Sequence, residues 1–476
     1  MTTPLLRSLP AIMAGLLPVA AQDWPHWRGP LATGEAPGAK PPTQWSETQN
    51  VKWKTKLPGE GHATPAIWGP KIFVLSAVPT GRKIEPPAAP PETKPQSLAQ
   101  PQVFFGQAQP PTEGGREGRG GPGRGGQGGR RGGRGFGGGM KPVEFHQFTV
   151  SCLDKATGKI LWQKIARDEV PHEGRHQTGS FASDSPLTDG QLVFANFGSR
   201  GLYAYDLGGN LKWSQDLGDM RVANSFGEGS SPALHGNTLI VNWDAENGSF
   251  VVALDKQTGK TIWKKEREER TTWTTPLIVE HGGKRQAIIL ASGKIRAYDL
   301  ANGHVIWECG GMTANVIPTP VYANGVVYCA SGFRGNALLA IKLGKEGDLT
   351  DSDSILWRIG KSTPYVPSPL LYRDRLYFFS SNNAILSCVD VKTGQPHYEA
   401  QRIEGMQQIY ASPVAANGNV YLAGRDGAVV VIKDGDKLEI LATNKLDDRF
   451  DASPAIVGGD LYLRGHQHLY CLADSK

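Results

Sequence analysis

Helical periodicity is missing from this chain. No window sustains apolar residues at i, i+3, i+4 and i+7 over three turns, which excludes a helical bundle. There is also no apolar run long enough to span a bilayer. Cysteine is scarce, with five in 476 residues, and neither a Cys-x-x-Cys spacing nor an adjacent Cys pair occurs. That excludes a cysteine-built metal site and a dense disulfide framework. No Gly-x-Ser-x-Gly elbow is present for a hydrolase nucleophile. A charge of one sign is missing too. Of the net +6, the stretch from Gly106 to Gly139 supplies +4 through six arginines and two glutamates, and Arg7 supplies one more. The remaining body carries about +1, which gives no electrostatic reason to expect nucleic acid or a membrane surface.

What the chain does contain is glycine (60 residues) and tryptophan (12), with many short runs rich in β-branched and aromatic residues. This composition suits short strands and tight turns, an all-β protein. The N-terminus has Arg7, then an apolar stretch from Leu9 to Ala21 in which Val19 and Ala21 place small residues at −3 and −1. Residues 1–21 therefore read as a signal peptide and the protein as exported, periplasmic or extracellular. No cysteine follows the stretch to carry a lipid anchor.

A repeat organises the rest. Ser/Thr-Pro dipeptides end at Pro65, Pro186, Pro232, Pro276, Pro320, Pro369, Pro413 and Pro454, with gaps of 121, 46, 44, 44, 49, 44 and 41 residues. Without an insertion in the first gap the period is about 45, the length of a four-stranded propeller blade. Each dipeptide opens a strand, a turn and a second strand. About 20 residues later comes a further signature. Residues 253–263 read Ala-Leu-Asp-Lys-Gln-Thr-Gly-Lys-Thr-Ile-Trp, and 152–162, 204–213 and 297–307 follow the same plan. In the hairpin it describes, Asp caps the turn, Gly takes the left-handed position, and Trp lies on the outer strand to fill the gap to the next blade. Trp53, Trp162, Trp213, Trp263, Trp307 and Trp357 are the expected docking residues. The sixth repeat puts Pro-His-Tyr at 396–398 where Trp belongs and the seventh has no Trp, so these two blades are expected to dock less firmly.

The Ala-x-Asp-x-x-Thr-Gly-x-x-x-Trp pattern resembles the tryptophan-docking motif of pyrroloquinoline-quinone (PQQ) dehydrogenases and their non-enzymatic relatives. The resemblance covers nearly the whole chain outside the insertion and implies an eight-bladed β-propeller of four-stranded antiparallel blades. A WD40 propeller is excluded, because Trp243-Asp244 is out of phase with the repeat. The last repeat ends before a fourth strand, whereas residues 50–57 match 210–217 almost position for position. That N-terminal strand is expected to complete blade eight and hide two open sheet edges. The organisation is then a signal peptide (1–21), an N-terminal segment (22–49) and the propeller (50–476). A Pro/Gly/Arg-rich insertion at 79–143 in blade one has too little apolar content to offset its ordering entropy. Its Arg-Gly run is read as a solvated loop rather than as an RNA-binding segment.

The residues just ahead of the Ser/Thr-Pro pairs surround the axis. His62, Asp184, Glu228, Trp273, Asn315, Tyr365, Tyr410 and Asp451 form an expected ligand-binding rim able to hold a cation, a sugar or a quinone. His172 and His176 match His-Glu-x-x-His, but Pro171 and Gly174 preclude the helix that would bring the imidazoles together. They are kept only as metal-ligand candidates in a loop. Cys152, Cys388 and Cys471 occupy a small buried strand position that is Ala in other repeats; the sequence leaves open whether Cys309 and Cys329 pair. The resembling alcohol dehydrogenases use a vicinal disulfide against PQQ, with calcium-binding carboxylates, and no such cysteine pair exists here. The expected function is a non-catalytic, extracytoplasmic scaffold without cofactor. It is read as a monomer whose partner is a cell-envelope protein or a small ligand. In fold it resembles the propeller subunit of the barrel-assembly machinery. The alternative is a PQQ- and calcium-dependent dehydrogenase of alcohols or sugars.

Overall fold

The computed structural model describes residues 23–85 and 139–474; the signal-peptide reading and most of the insertion fall outside these residues. Eight antiparallel sheets follow one another along the chain, seven of four strands and one of five. They occupy residues 66–169, 187–215, 233–267, 277–309, 321–359, 370–402, 414–445 and 455–472, blades one to eight. Blade eight takes its outer strand from Val51–Lys56, which pairs antiparallel with His468–Leu472. The ring is closed as the repeat arithmetic requires.

In blade one the second strand is Lys71–Lys83, so it runs past the insertion boundary read at residue 79. The partner strand is Glu144–Asp154, and together they form a hairpin longer than any other in the ring, with the insertion at its tip.

The hairpin signature folds as its chemistry dictates. Asp255 Oδ1 accepts from the Thr258 amide and hydroxyl, both at 2.9 Å, and Asp154 and Asp390 hold Thr157 and Thr393 in the same way. Gly158, Gly259 and Gly394 have φ between 68° and 71°. A Cβ at Gly259 would lie 2.6 Å from the Trp213 ring, so glycine is needed both for the backbone and for the approach of the indole.

Five of the six docking tryptophans cross a seam as expected. Each donates its indole N–H to a backbone carbonyl in the next blade's hairpin: Trp53 to Lys155, Trp162 to Leu207, Trp213 to Lys256, Trp263 to Leu300 and Trp357 to Val391, at 2.8–3.1 Å. Trp307 departs. Its indole donates to Gln286 Oε1 at 2.7 Å, inside its own blade. The physical reason is the long connection before Trp357, whose Gly347–Asp348 adds a parallel fifth strand against Trp307 and Glu308. That strand occupies the place where a neighbouring hairpin would sit.

The N-terminal segment is part of the fold rather than a leader to it. Trp24 pairs with Ile67 in blade one, the Thr188 amide of blade two donates to Pro25 O, Ala36 donates to Ala415 O of blade seven, and Lys40 to Gly458 O of blade eight. Buried Arg28 donates to Pro413 O at 3.1 Å, Pro369 O at 2.7 Å and Thr33 O at 2.7 Å. Trp45, 4 % exposed, packs in one apolar cluster with residues of blades seven and eight and with Ala442, the residue standing where other blades have Trp.

Candidate functional site

Where each inner strand begins, the Ser or Thr of the repeated dipeptide turns toward the axis and is buried. These residues bind the blades to one another. The Thr64 amide donates to Ser185 Oγ, Ser185 to Ser231, Thr275 to Thr319, Thr319 to Ser368, Ser368 to Ser412 and Ser412 to Ser453, at 2.8–3.2 Å. Ser230 Oγ bonds Thr274 O at 2.8 Å, and Thr64 Oγ1 returns to Ser453 O at 3.0 Å. All eight seams are thereby bridged around the axis. The dipeptide is legible in the sequence as a regularity, but this use of its hydroxyl was not foreseen.

Above that ring opens a funnel of about 510 Å³. Six of the eight expected rim residues line it: His62, Glu228, Trp273, Tyr365, Tyr410 and Asp451. Asp184 and Asn315 do not. Asp184 is buried behind the wall, where Oδ2 accepts from Asn196 at 2.7 Å; burial and the nearby Glu228 charge push its carboxyl up to about 8. Asn315 stands in a left-handed conformation (φ 53°) outside the lining.

Aromatic faces dominate the wall. Phe333 stacks on Tyr365 with centroids 4.9 Å apart, Trp273 donates to Gly227 O at 2.7 Å, and the His176 ring meets Phe226 edge-on at 5.2 Å. Trp27, from the N-terminal segment, lines the far end. Thr178 Oγ1 lies 3.2 Å from the Tyr410 hydroxyl, so the connection between blades one and two reaches to blade seven and narrows the mouth. No repeat or motif in the sequence marks that reach.

The acidic groups of the wall are already engaged. Glu228 accepts from the Ser199 amide (2.6 Å) and hydroxyl (2.7 Å) and from Arg200 Nη1 (2.6 Å). Asp451 accepts from Arg425 Nε at 2.5 Å and lies 2.8 Å from His466 Nε2. Burial would raise its carboxyl, but the hydrogen bond to His466 and the Arg425 charge outweigh it and hold it near 2. His62 is pushed down to about 3, chiefly by burial.

His172 and His176 do not converge. His172 Nε2 contacts Met220 O at 2.6 Å, while His176 Nδ1 meets Thr178 Oγ1 at 2.7 Å. Among the described residues, the metal-ligating types that do come together are His62, Asp451 and His466. His466 had been missed, because its turn lies off the repeat pattern. All five cysteines are free and buried, Cys309 and Cys329 included, and none lines the funnel.

Comparison with known proteins agrees with this architecture. A family model described as outer membrane protein assembly factor BamB matches residues 146–396 and 344–476. A protein of that name from Francisella salina is 30 % identical over 104 residues, which span 21 % of this chain and 18 % of that protein, less than a fifth of its length. Among solved structures, BamB from Moraxella catarrhalis superimposes with a TM-score of 0.49 at 16 % identity, covering 68 % of this chain and 91 % of that one. The computationally designed Ika8 protein gives 0.48 at 13 % identity, covering 71 % and 98 %. With matched segments spanning more than half its length, the chain belongs to the family of PQQ-repeat propellers described as outer membrane protein assembly factor BamB.

Proposed function

We propose that this protein is an extracytoplasmic, non-catalytic scaffold that holds a segment of another cell-envelope protein in its axial funnel. The observation that carries the reading is the division of labour within the funnel. Ring hydroxyls bridge blades, and Glu228 and Asp451 are tied to Arg200 and Arg425. The larger part of what the funnel offers a ligand is the set of aromatic faces of Trp273, Tyr365, Phe333, Tyr410 and Phe226, with Gln177 and Asn382 among the polar groups beside them. Such faces give large contact area at little loss of side-chain freedom. A volume of about 510 Å³ suits a few side chains of an extended segment, not a folded domain. Family membership supports a protein partner, and the apolar stretch at 9–21 supports export. No helix among the described residues is long and apolar enough to cross a membrane.

The donor set argues against a calcium–quinone centre. Calcium takes six to eight oxygen ligands, whereas Glu228 is engaged by Arg200, Asp451 gives one oxygen to Arg425, and Asp184 is buried behind the wall with its carboxyl pushed up to about 8.

A photo-crosslinking residue at Gln177, on the funnel wall, is expected to yield one dominant adduct with an envelope protein in cells. The same probe at exposed Leu356, on the outer edge of blade five, is expected to yield none. Adducts from Leu356 alone would move the interface to the blade edges. Dye reduction with alcohols or sugars, after loading with PQQ and calcium, would overturn the non-catalytic reading.

A further inference from the structure

The seam where the ring closes brings together three side chains from distant parts of the chain. His62 precedes the inner strand of blade one, Asp451 precedes that of blade eight, and His466 lies in the turn between Asp460–Arg464 and His468–Leu472. Asp451 Oδ2 lies 2.8 Å from His466 Nε2 and 3.8 Å from His62 Nε2. The two imidazoles stack with centroids 4.8 Å apart, and the three ligand atoms fall within 4.8 Å of one another.

The carboxylate is divided between two tasks. Oδ1 faces Arg425 Nε at 2.5 Å, with a longer contact of 3.5 Å from Arg425 Nη2 to Oδ2, and Arg425 is itself fixed over the Tyr410 ring at 4.0 Å and by Gln408 at 3.2 Å. Oδ2 is thereby aimed at both imidazoles. An outer partner that fixes a ligating carboxylate is the usual second layer of a metal site.

We propose that His62, Asp451 and His466 bind one divalent transition-metal ion, zinc foremost, with an open coordination position toward the funnel. Two imidazole nitrogens and one carboxylate oxygen favour such an ion over calcium or magnesium. Bonds of about 2.0–2.2 Å in tetrahedral geometry place ligand atoms about 3.3–3.5 Å apart. The present 2.8 and 3.8 Å separations each need a shift of about half an ångström, and the two imidazole nitrogens, within 4.8 Å of one another, must close by up to about 1.5 Å. On metal binding the His466 imidazole exchanges its hydrogen bond to Asp451 for a bond to the ion. The surrounding positive charge (Arg425, Arg464 buried beside Gly61, and Arg175 paired with Glu60) opposes a cation and sets a moderate affinity rather than a structural-zinc one. His62 and Asp451 line the funnel, so a carboxylate or imidazole from an incoming segment can take the open position.

The test uses the full chain stripped with chelator and titrated separately with Zn²⁺, Co²⁺ and Ca²⁺ by calorimetry, with the visible band of Co²⁺ as a second readout. One equivalent of Zn²⁺ or Co²⁺ is expected, with Ca²⁺ at least about 100-fold weaker. His466→Gln, at a partly exposed turn that tolerates change, should weaken Zn²⁺ by more than the ~10–100-fold typical of an outer-layer loss. His62→Ala should do the same, and His172→Ala should leave binding unchanged. Failure of wild type to bind one equivalent, equal binding by a folded His466→Gln protein, or calcium binding of equal strength would each overturn the proposal. None of these outcomes depends on the crosslinking result, so the two readings fail separately.

Discussion

The seam between blades two and three and the seam between blades six and seven join the same kind of sheet by opposite chemistry. At the first, a docked tryptophan is joined by an apolar cluster shared by the two blades and by one ion pair, Lys256 Nζ to Asp189 Oδ2 at 2.6 Å. Trp213, 8 % exposed, buries its ring against the Gly259 turn and donates to Lys256 O at 2.8 Å. At the second, Tyr398 stands in the tryptophan position, and its hydroxyl has no hydrogen-bond partner among the described residues. The two blades still share one apolar cluster, and polar groups take over the hydrogen bonding. Tyr377 donates to Asp434 at 2.6 Å, Arg373 pairs with Asp434 at 3.0 Å, and Arg375 pairs with Asp436 at 2.6 Å. The expectation that blade six docks less firmly is therefore too simple. The apolar contact is kept, but the indole hydrogen bond is replaced by several charged contacts that reach the surface, where water and salt weaken them.

That difference can be broken from the aromatic side first. Trp53→Ala removes a docked ring at the closing seam, where the outer strand of blade eight is held by no covalent continuity with its sheet. A loss of about 3–5 kcal/mol is expected in denaturant titration. A loss below about 1 kcal/mol would mean that strand pairing alone closes the ring. On the ionic side, Asp434→Ala leaves the Tyr377 hydroxyl and Arg373 without their acceptor, and about 2–3 kcal/mol is expected. Added salt should narrow the gap between wild type and Asp434→Ala but leave that of Trp53→Ala unchanged. Equal salt dependence would erase the distinction between the two kinds of seam.

Between these extremes lies Trp307, whose ring packs in one cluster with blade-five residues but whose indole bonds within its own blade. Trp307→Phe keeps most of the apolar area and loses the bond to Gln286, so about 1–2 kcal/mol is expected. The loss should fall within blade four. Hydrogen exchange should quicken in strand Lys284–Ile289 and not in blade five, whereas Trp263→Phe should quicken exchange at the Leu300 turn of the following blade.

The sequence made the ring legible because an internal repeat states the same physics eight times. Trp53 could be assigned to blade eight from its match to Trp213 alone. The departures were legible only as spacing. The 49-residue gap before Pro369 and the 17 residues between Ala340 and Trp357 mark the extra strand that turns Trp307 inward. The N-terminal strap was hidden, since Trp24, Arg28 and Trp45 follow no repeat and find partners hundreds of residues away. The funnel wall was legible where a residue stands three or four positions ahead of the repeated proline, as His62, Glu228 and Asp451 do. A loop supplies groups that the repeat does not mark, as with Gln177 and Thr178. Asp184 stands only two positions ahead of Pro186 and turns into the wall toward Asn196, while Ser183, three ahead, lines the funnel.

The smallest expected effect tests the seam between blades six and seven most finely. Tyr398 is 6 % exposed, and burial of its hydroxyl without a partner costs stability that the ring's packing must offset. Tyr398→Phe removes that group and keeps the ring, so stability should stay within about 0.5 kcal/mol of wild type or rise slightly. Tyr377→Phe is the matched control, because its hydroxyl is bonded to Asp434; about 1 kcal/mol should be lost. If Tyr398→Phe instead cost as much as Tyr377→Phe, the hydroxyl would have to be bonded to a buried water. The two seams would then differ only in which polar group the aromatic ring carries, not in whether it carries one.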